Sequence, residues 1–348
     1  MTFPLWWAAA LALATFALAL ALTPLVRSWS LRAGFVDHPG TRKVHKEAMP
    51  TGGGFAVAGA FLAGLWGSSL LPGAPPPDVL HGLTAVGLIT LTLGWLDDRF
   101  GVPGVLKLLV QAGCGFLLHS FGFGIDKLTN PLGGPPIQLA GMGVVVDVVW
   151  VLAITNAINL SDGLDGLAAG TVAISTTALI AVAANHADGQ VVWVGALLVG
   201  ASLGFLRSNF PPAKIFLGDT GSQFLGMMMA ALALIENNKG PAAVTLLLPI
   251  VAMGLPLVDS MLAFLRRRGR IFRADQEHLH HRLLHLGLNQ RQAVSLLYFG
   301  CAYLGIAAYA LSLLPRNAVL LVLILLAMGL WLALETLRFI DRRIPRDR

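Results

Sequence analysis

Four polar residues recur at intervals of three in NAINLSDGLDGLAAG (156–170): Asn156, Asn159, Asp162 and Asp165. Amide and carboxylate oxygens in this number suit a hard cation such as Mg2+ and the phosphates it would accompany. On an α-helix of 3.6 residues per turn, each step of three turns back about 60°, so neighbours can touch while the first and last diverge. Gly163 and Gly166 permit a break that would gather the side chains around one point, making the stretch a helix-to-helix junction. Helix capping is the alternative for Asp162, and the simplest use of Asn156.

Further clusters have related chemistry. In WLDDRFG (95–101), Asp97 and Asp98 are adjacent carboxylates at a helix C-terminus, where the dipole is negative and a metal or basic group would relieve the repulsion. FPPAKIFLGDTGS (210–222) sets Asp219 between Gly218 and Thr220 as an N-cap candidate. Backbone N–H groups there suit a phosphate, with Lys214 and Phe216 adding a charge and a stacking surface. EHLHHRLLHLG (277–287) puts His278, His281 and His285 on one stripe, with His280 and Arg282 to the side. It has no HExxH zinc pattern, and the nearby oxygen ligands favour magnesium, while imidazolium and guanidinium groups bind phosphate. Arg42, Lys43, His45 and Lys46 precede a Gly-rich stretch and could meet a diphosphate or an anionic lipid head group.

These clusters must be positioned by a membrane-embedded scaffold. The 348 residues are 56% hydrophobic and 12% charged, with a mean hydropathy of +0.73, whereas soluble domains are about 25% charged. Measured against the ~20 apolar residues a crossing helix needs, the chain contains about eleven spans: roughly 4–26, 52–72, 79–96, 103–122, 143–157, 164–184, 190–207, 221–236, 241–265, 292–314 and 317–338. Ten remain if one of the short Gly-rich runs does not cross. The fold expected is an all-α polytopic membrane protein forming a single domain over 1–348, with a basic tail at 339–348. The first span has no basic flank ahead of it and is too long for a signal-peptide core.

With the N-terminus outside and the C-terminus in the cytoplasm, nearly all of the 24 Lys and Arg residues fall inside; only Lys127, Lys239 and Arg316 lie outside, as the positive-inside rule requires. Every polar cluster then belongs to the cytoplasmic face. Outside, 123–140 has a Gly-Gly-Pro-Pro centre that suggests a hairpin. Cys114 and Cys301 lie in apolar runs and form neither a CxxC pattern nor a disulfide framework.

Carboxylates, basic groups and Gly-rich loops on one membrane face are the ingredients for holding Mg2+ and phosphates together, and the chemistry that follows is phosphoryl transfer. Such a site needs carboxylates for the metal and cations for the phosphates, rather than a Ser or Cys nucleophile.

In order, RKVHKEAMPTGGG, DDR, NAINLSDGLDGLAAG, NFPPAKIFLGDTGS and HLHHRLLHLGLNQRQ resemble the polyprenyl-phosphate N-acetylhexosamine-1-phosphate transferases, the family of MraY, WecA and TagO. The resemblance covers nearly the whole chain, and His278-Leu279-His280-His281 looks like the WecA/TagO branch. It implies transfer of N-acetylhexosamine-1-phosphate, GlcNAc-1-phosphate foremost, from a UDP-sugar to undecaprenyl phosphate in the bacterial cytoplasmic membrane. UMP is released, Mg2+ is required with Mn2+ as a substitute, and the product starts a cell-envelope glycan such as teichoic acid or O-antigen. By motif, Asp219 would ligate the metal, and Asp97 and Asp98 would orient or deprotonate the attacking lipid phosphate. Asn159, Asp162 and Asp165 would line the metal and nucleotide site, with Asn209 and Phe216 near the uridine. His278, His280, His281, Arg282, Lys107 and Lys46 would hold phosphates; Asp97, Asp98, Asp162 and His278 form the expected catalytic set. Departures from the family pattern are VPGVLK after the Asp pair, and Ala48 and Thr51 in the Gly-rich loop. A homodimer is compatible with this reading, and no nucleic-acid partner is expected.

Two rivals remain: a relative using UDP-MurNAc-pentapeptide or another UDP-sugar, and a secondary transporter. A transporter would use ionisable groups within the spans, here Asp147, Asp259 and Lys107.

Overall fold

The computed structural model describes residues 5–37, 48–125, 127–128, 137–237, 250–251, 253–266, 279–314 and 316–343. Among them are twelve α-helices: α1 (Leu5–Arg32), α2 (Gly54–Ser68), α3 (Pro77–Phe100), α4 (Gly104–Ser120), α5 (Gly143–Ser161), α6 (Leu167–Asn185), α7 (Gly189–Asn209), α8 (Gly218–Asn237), α9 (Gly254–Arg266), α10 (Leu279–His285), α11 (Gln290–Leu313) and α12 (Arg316–Arg343). Eleven overlap the spans expected from hydropathy. The twelfth, α10, is the short helix of the histidine cluster. By length and composition, α1, α3, α5, α6, α7 and α11 could each cross a membrane, and α2 and α4 are apolar but shorter.

The structure is not purely helical. A two-residue ladder pairs β1 (Val36–Asp37) with β2 (Met49–Pro50) antiparallel, Val36 facing Pro50. A second pairs β3 (Lys127–Leu128) with β4 (Ile137–Gln138), the arms of the expected hairpin, whose tip lies outside the described residues. Of the expected tail, 339–343 continues α12, and 344–348 lie outside the described residues.

Helix α8 is the axis of the bundle. It packs against α2, α3, α5, α6 and α7, and its residues from Phe224 to Leu234 are almost completely buried, as a helix that is apolar all round must be. α1 lies along α7 because Gly200 and Gly204 leave room: a Cβ at Gly200 would stand 2.1 Å from the Ala12 carbonyl oxygen, and one at Gly204 2.4 Å from that of Phe16. Such small-residue spacing is how helices approach in lipid, where apolar burial no longer drives association. α11 packs on α6, and α9 on α5 and α11. The C-terminal ends of α3, α5 and α7 and the N-terminal ends of α4, α6 and α8 meet at one end of this bundle.

Candidate active site

α5 runs through Ser161, four residues beyond its expected end, so Asn156 and Asn159 are helical and only Asp162 and Asp165 belong to the turn. Asp162 is the C-cap residue, its N–H donating to the Asn159 carbonyl. Asn156 caps nothing: its amide donates to Gln111 Oε1 (2.7 Å) and to the Leu152 carbonyl (2.8 Å).

Asp97 and Asp98 occupy the last turn of α3 and face different partners. Asp97 accepts from the Val102 N–H at 2.7 Å and pairs with the Lys107 ammonium in the first turn of α4. The side chains are 7% and 24% exposed, so water screens this pair only partly. Gly101, at φ +71°, makes the turn that returns α4 beside Asp97.

Asp98 instead holds the start of α8. Its Oδ1 accepts from the Asp219 N–H at 2.9 Å, and its Oδ2 from the Thr220 N–H at 2.9 Å and the Thr220 hydroxyl at 2.6 Å. These are the N–H groups a helix leaves unpaired in its first turn, and a carboxylate at that positive end is favourable. Asp219 is therefore not the N-cap expected from its loop; it lies inside the first turn. The anion these N–H groups bind is Asp98 rather than a phosphate. Close approach is possible because Gly94 and Gly54 lack side chains: a Cβ at Gly94 would meet the Asp219 carbonyl oxygen at 2.2 Å, and one at Gly54 the Gly221 nitrogen at 2.2 Å.

The Asp219 carboxylate accepts a short hydrogen bond from Asn159, whose Nδ2 also donates to Ser222 Oγ at 2.8 Å. The Asp97 carboxyl group is its close neighbour, and burial together with Asp97 and Asp98 pushes the Asp219 carboxyl up to about 7. Two carboxylates in contact cannot both stay charged unless a cation joins them. Asp162, half-buried beside them, has its carboxyl pushed well above the usual range, first by burial and then by the charges of Asp219, Asp98 and Asp165. Among the described residues no three His, Cys, Asp or Glu side chains already stand in a closed ligand array. Mg2+ commonly takes only one or two carboxylates, with waters and substrate phosphates completing its shell. Asp219 and Asp97 are the pair whose oxygen chemistry and crowding fit such an ion.

The expected nucleotide residues divide differently. Asn209 is buried at 2% exposure, its Oδ1 accepting from the Gly166 N–H (3.0 Å) and its Nδ2 donating to the Ile215 carbonyl (2.9 Å). With both ends engaged it braces the loops around Gly166 and Ile215. Asp165 Oδ2 accepts from the Ala213 N–H at 3.0 Å, fastening the same two loops. The backbone of Phe216 joins the Gly-rich turn before α2: its N–H donates to the Pro50 carbonyl, and its carbonyl accepts from Gly53, each at 2.9 Å. Its ring is half-buried.

α10 begins with the Leu279 N–H donating to Asp259 Oδ1 at 3.0 Å, so Asp259 serves as its cap. The side chain turned inward is His280, 3% exposed: a Cβ on Gly163 would stand 2.3 Å from its Nε2, which puts this imidazole against the Asp162 turn. This corrects the expected stripe, since His285 is exposed while His281 and Arg282 are half-buried. His278 and Lys46, with Arg42, Lys43 and His45, lie outside the described residues. Asp147, the other acidic residue expected within a span, is at the opposite end of the bundle, bound to His119 (2.7 Å) and the Ile125 N–H (3.0 Å).

Several supporting residues gave no sequence signal. Tyr298 donates its hydroxyl to the Gly166 carbonyl at 2.6 Å, and Arg291 donates twice to the Pro211 carbonyl with its guanidinium over the Phe210 ring. Arg27 donates to the Lys214 carbonyl at 3.0 Å. All read in sequence as ordinary helix-end or apolar-run residues. Only Thr220 and Ser222 had a cue, their place beside Asp219.

Residues 80–237, which carry every carboxylate of this cluster, match the glycosyl transferase family 4 model. A Bacillus subtilis protein named "Probable undecaprenyl-phosphate N-acetylglucosaminyl 1-phosphate transferase" is 36% identical over 282 residues, covering 80% of this chain and 78% of its own. The decaprenyl-phosphate N-acetylglucosaminephosphotransferase of Mycobacterium leprae is 34% identical (82% and 78% covered). The undecaprenyl-phosphate alpha-N-acetylglucosaminyl 1-phosphate transferase of Escherichia coli K12 is 29% identical (92% and 91% covered). With its carboxylate cluster at one end of a helical bundle and this extent of similarity, the chain belongs to glycosyl transferase family 4, among the polyprenyl-phosphate N-acetylglucosamine-1-phosphate transferases.

Proposed function

We propose that the protein transfers GlcNAc-1-phosphate from UDP-GlcNAc to undecaprenyl phosphate at the cytoplasmic face of a bacterial inner membrane. The carrying observation is the convergence of Asp97, Asp98, Asp162 and Asp219 with Lys107 and Asn159 at one end of an apolar bundle. An oxygen of the lipid phosphate bonds to the phosphorus that bears the sugar, the bridging P–O bond breaks, and UMP leaves with that bridging oxygen. Two anions must approach each other, so charge neutralisation and alignment dominate the catalysis. Asp219 and Asp97 would hold a Mg2+ ion, which when bound would neutralise charge on the diphosphate. Lys107, already oriented by Asp97, offers its remaining N–H donors to phosphate oxygens. Asp97 is the carboxylate facing the reacting groups, and Asp98 sets the position of Asp219. His280 presents an imidazole at the Asp162 turn, and the Lys and Arg distribution supports eleven crossings with the N-terminus outside. The lipid-linked sugar would then begin a cell-envelope glycan.

Purified protein in detergent should release UMP from UDP-GlcNAc only with undecaprenyl phosphate and Mg2+ both present, and EDTA should stop release until Mg2+ or Mn2+ is restored. UDP-MurNAc-pentapeptide should be inert. Release from that donor alone would move the chain to another branch, and no release with any UDP-sugar would overturn the reading.

A further inference from the structure

Below the carboxylates lies a second polar layer that the reaction does not itself require. Gln111 on α4 and Gln223 on α8 are fully buried. Gln111 Nε2 donates to Gln223 Oε1 at 2.7 Å, and Gln111 Oε1 accepts from Asn156 Nδ2 on α5, also at 2.7 Å. The Nε2 of Gln223 has no partner among the described residues, so the chain of amides ends there. Each member stands one helical turn inward from a site residue on its own helix: Gln111 from Lys107, Asn156 from Asn159, and Gln223 from Asp219. The outer layer pairs α4 with α3 through Lys107–Asp97 and α5 with α8 through Asn159–Asp219, and the inner layer of uncharged amides joins α4 to both α8 and α5.

Burying amides in an apolar bundle is unfavourable unless they bond to one another, and leucines would fill the same space. What leucines lack is direction. Apolar side chains tolerate a small rotation or slip of one helix against another, whereas a hydrogen bond is lost within a fraction of an ångström or a few tens of degrees, and buried polar pairs can specify register. The three helices joined here are the ones that carry Lys107, Asn159 and Asp219.

We infer that Gln111, Asn156 and Gln223 are positioning residues, a buried amide ladder that fixes the height and rotation of α4, α5 and α8 and so sets Lys107, Asn159 and Asp219 relative to one another. The inference rests on the transferase reading above. Because the ladder touches no substrate, breaking it should act on the chemical step rather than on binding. Gln111→Leu and Gln223→Leu should each lower kcat by about tenfold, the scale expected for sub-ångström misplacement of reacting groups. KM for UDP-GlcNAc and for the lipid should stay within twofold, and Tm in detergent should fall by a few degrees in each single variant, which leaves its partner amide buried without that bond. Since either substitution breaks the same bond, the double variant should lose no more than the worse single one. If the leucine variants fail to fold, Gln111→Asn and Gln223→Asn keep the polarity while falling short of the partner, and should show the same kcat-only loss. Wild-type kcat in the folded variants, losses that multiply in the double variant, or a rise in KM at unchanged kcat would overturn the ladder. A wild-type protein that releases no UMP would instead overturn the transferase reading.

Discussion

Replacing Gly94 by Ala adds one methyl group on the face of α3 that presses on the start of α8. The new Cβ would lie 2.2 Å from the Asp219 carbonyl oxygen, 2.5 Å from the Asp219 carbonyl carbon and 2.5 Å from the Thr220 Cα. All three are backbone atoms, so no side chain can swing away. Restoring ordinary contact at about 3.4 Å requires α3 and the first turn of α8 to separate by about 1.2 Å, and overpacking of this kind costs about 1–3 kcal/mol. The catalytic cost should exceed the cost in stability. Asp97 and Asp98 ride on one side of that contact and Asp219 on the other, and misplacement of reacting groups by about 1 Å can cost about 10²-fold in rate. UMP release by Gly94→Ala should fall about 10²-fold, with protein still recovered from the membrane fraction and Tm lowered by only a few degrees. Gly113→Ala is the control, because a Cβ at Gly113 on α4 meets nothing within 4 Å. It should turn over like wild type. A Gly94→Ala protein with wild-type kcat would refute the claim that the contact between α3 and α8 sets the carboxylate geometry.

Lys107→Met removes the partner of the nearly buried Asp97 carboxylate and a phosphate donor, so kcat/KM should fall by about 10²–10³-fold, in line with the few kcal/mol attached to breaking such pairs; steady-state UMP release checks it, and Lys107→Arg should recover part of the loss. Asp162 has its folded carboxyl raised above the unfolded value by burial and three neighbouring carboxylates, so the folded state holds the extra proton and stability declines as pH rises through that window. Asp162→Asn should therefore raise Tm at neutral pH in metal-free detergent and flatten its pH dependence, which a thermal series from pH 4 to 8 would test. Tyr298→Phe deletes the hydroxyl bonded to the Gly166 carbonyl, worth about 1 kcal/mol, and should slow turnover by about fivefold while the ring still packs on Gly170. Asp219→Ala should abolish turnover with Tm in detergent within a few degrees of wild type.

The hydropathy pattern anticipated the helices because apolar length is a property of each segment by itself. Its errors concentrate at helix ends, where polar residues decide. α5 continues through Asn156 and Asn159 since each amide finds a partner on a neighbouring helix, which no local periodicity reveals. The carboxylates were legible in sequence for a similar reason, as Asp in an apolar chain is costly enough to need a use. Their separate tasks were not. Asp97 and Asp98 are adjacent and alike in sequence, yet successive helical positions point about 100° apart, so one meets Lys107 and the other the start of α8. That Asn209 also ties together the loops on either side of it was not legible, because both of its partners are backbone groups of other segments.

Composition and motif order by themselves determined that this is a polytopic membrane protein with clustered carboxylates and basic residues, because hydropathy, charge and residue chemistry are local quantities. Tertiary structure alone decided that Asp98 caps α8, that Asp219 leans on Asn159 and Asp97, that His280 rather than His285 turns inward, and that Gln111 and Gln223 stand one turn beneath the site. Each of these depends on the rotation of one helix against another, which is fixed by close glycine contacts and long-range hydrogen bonds between residues far apart along the chain.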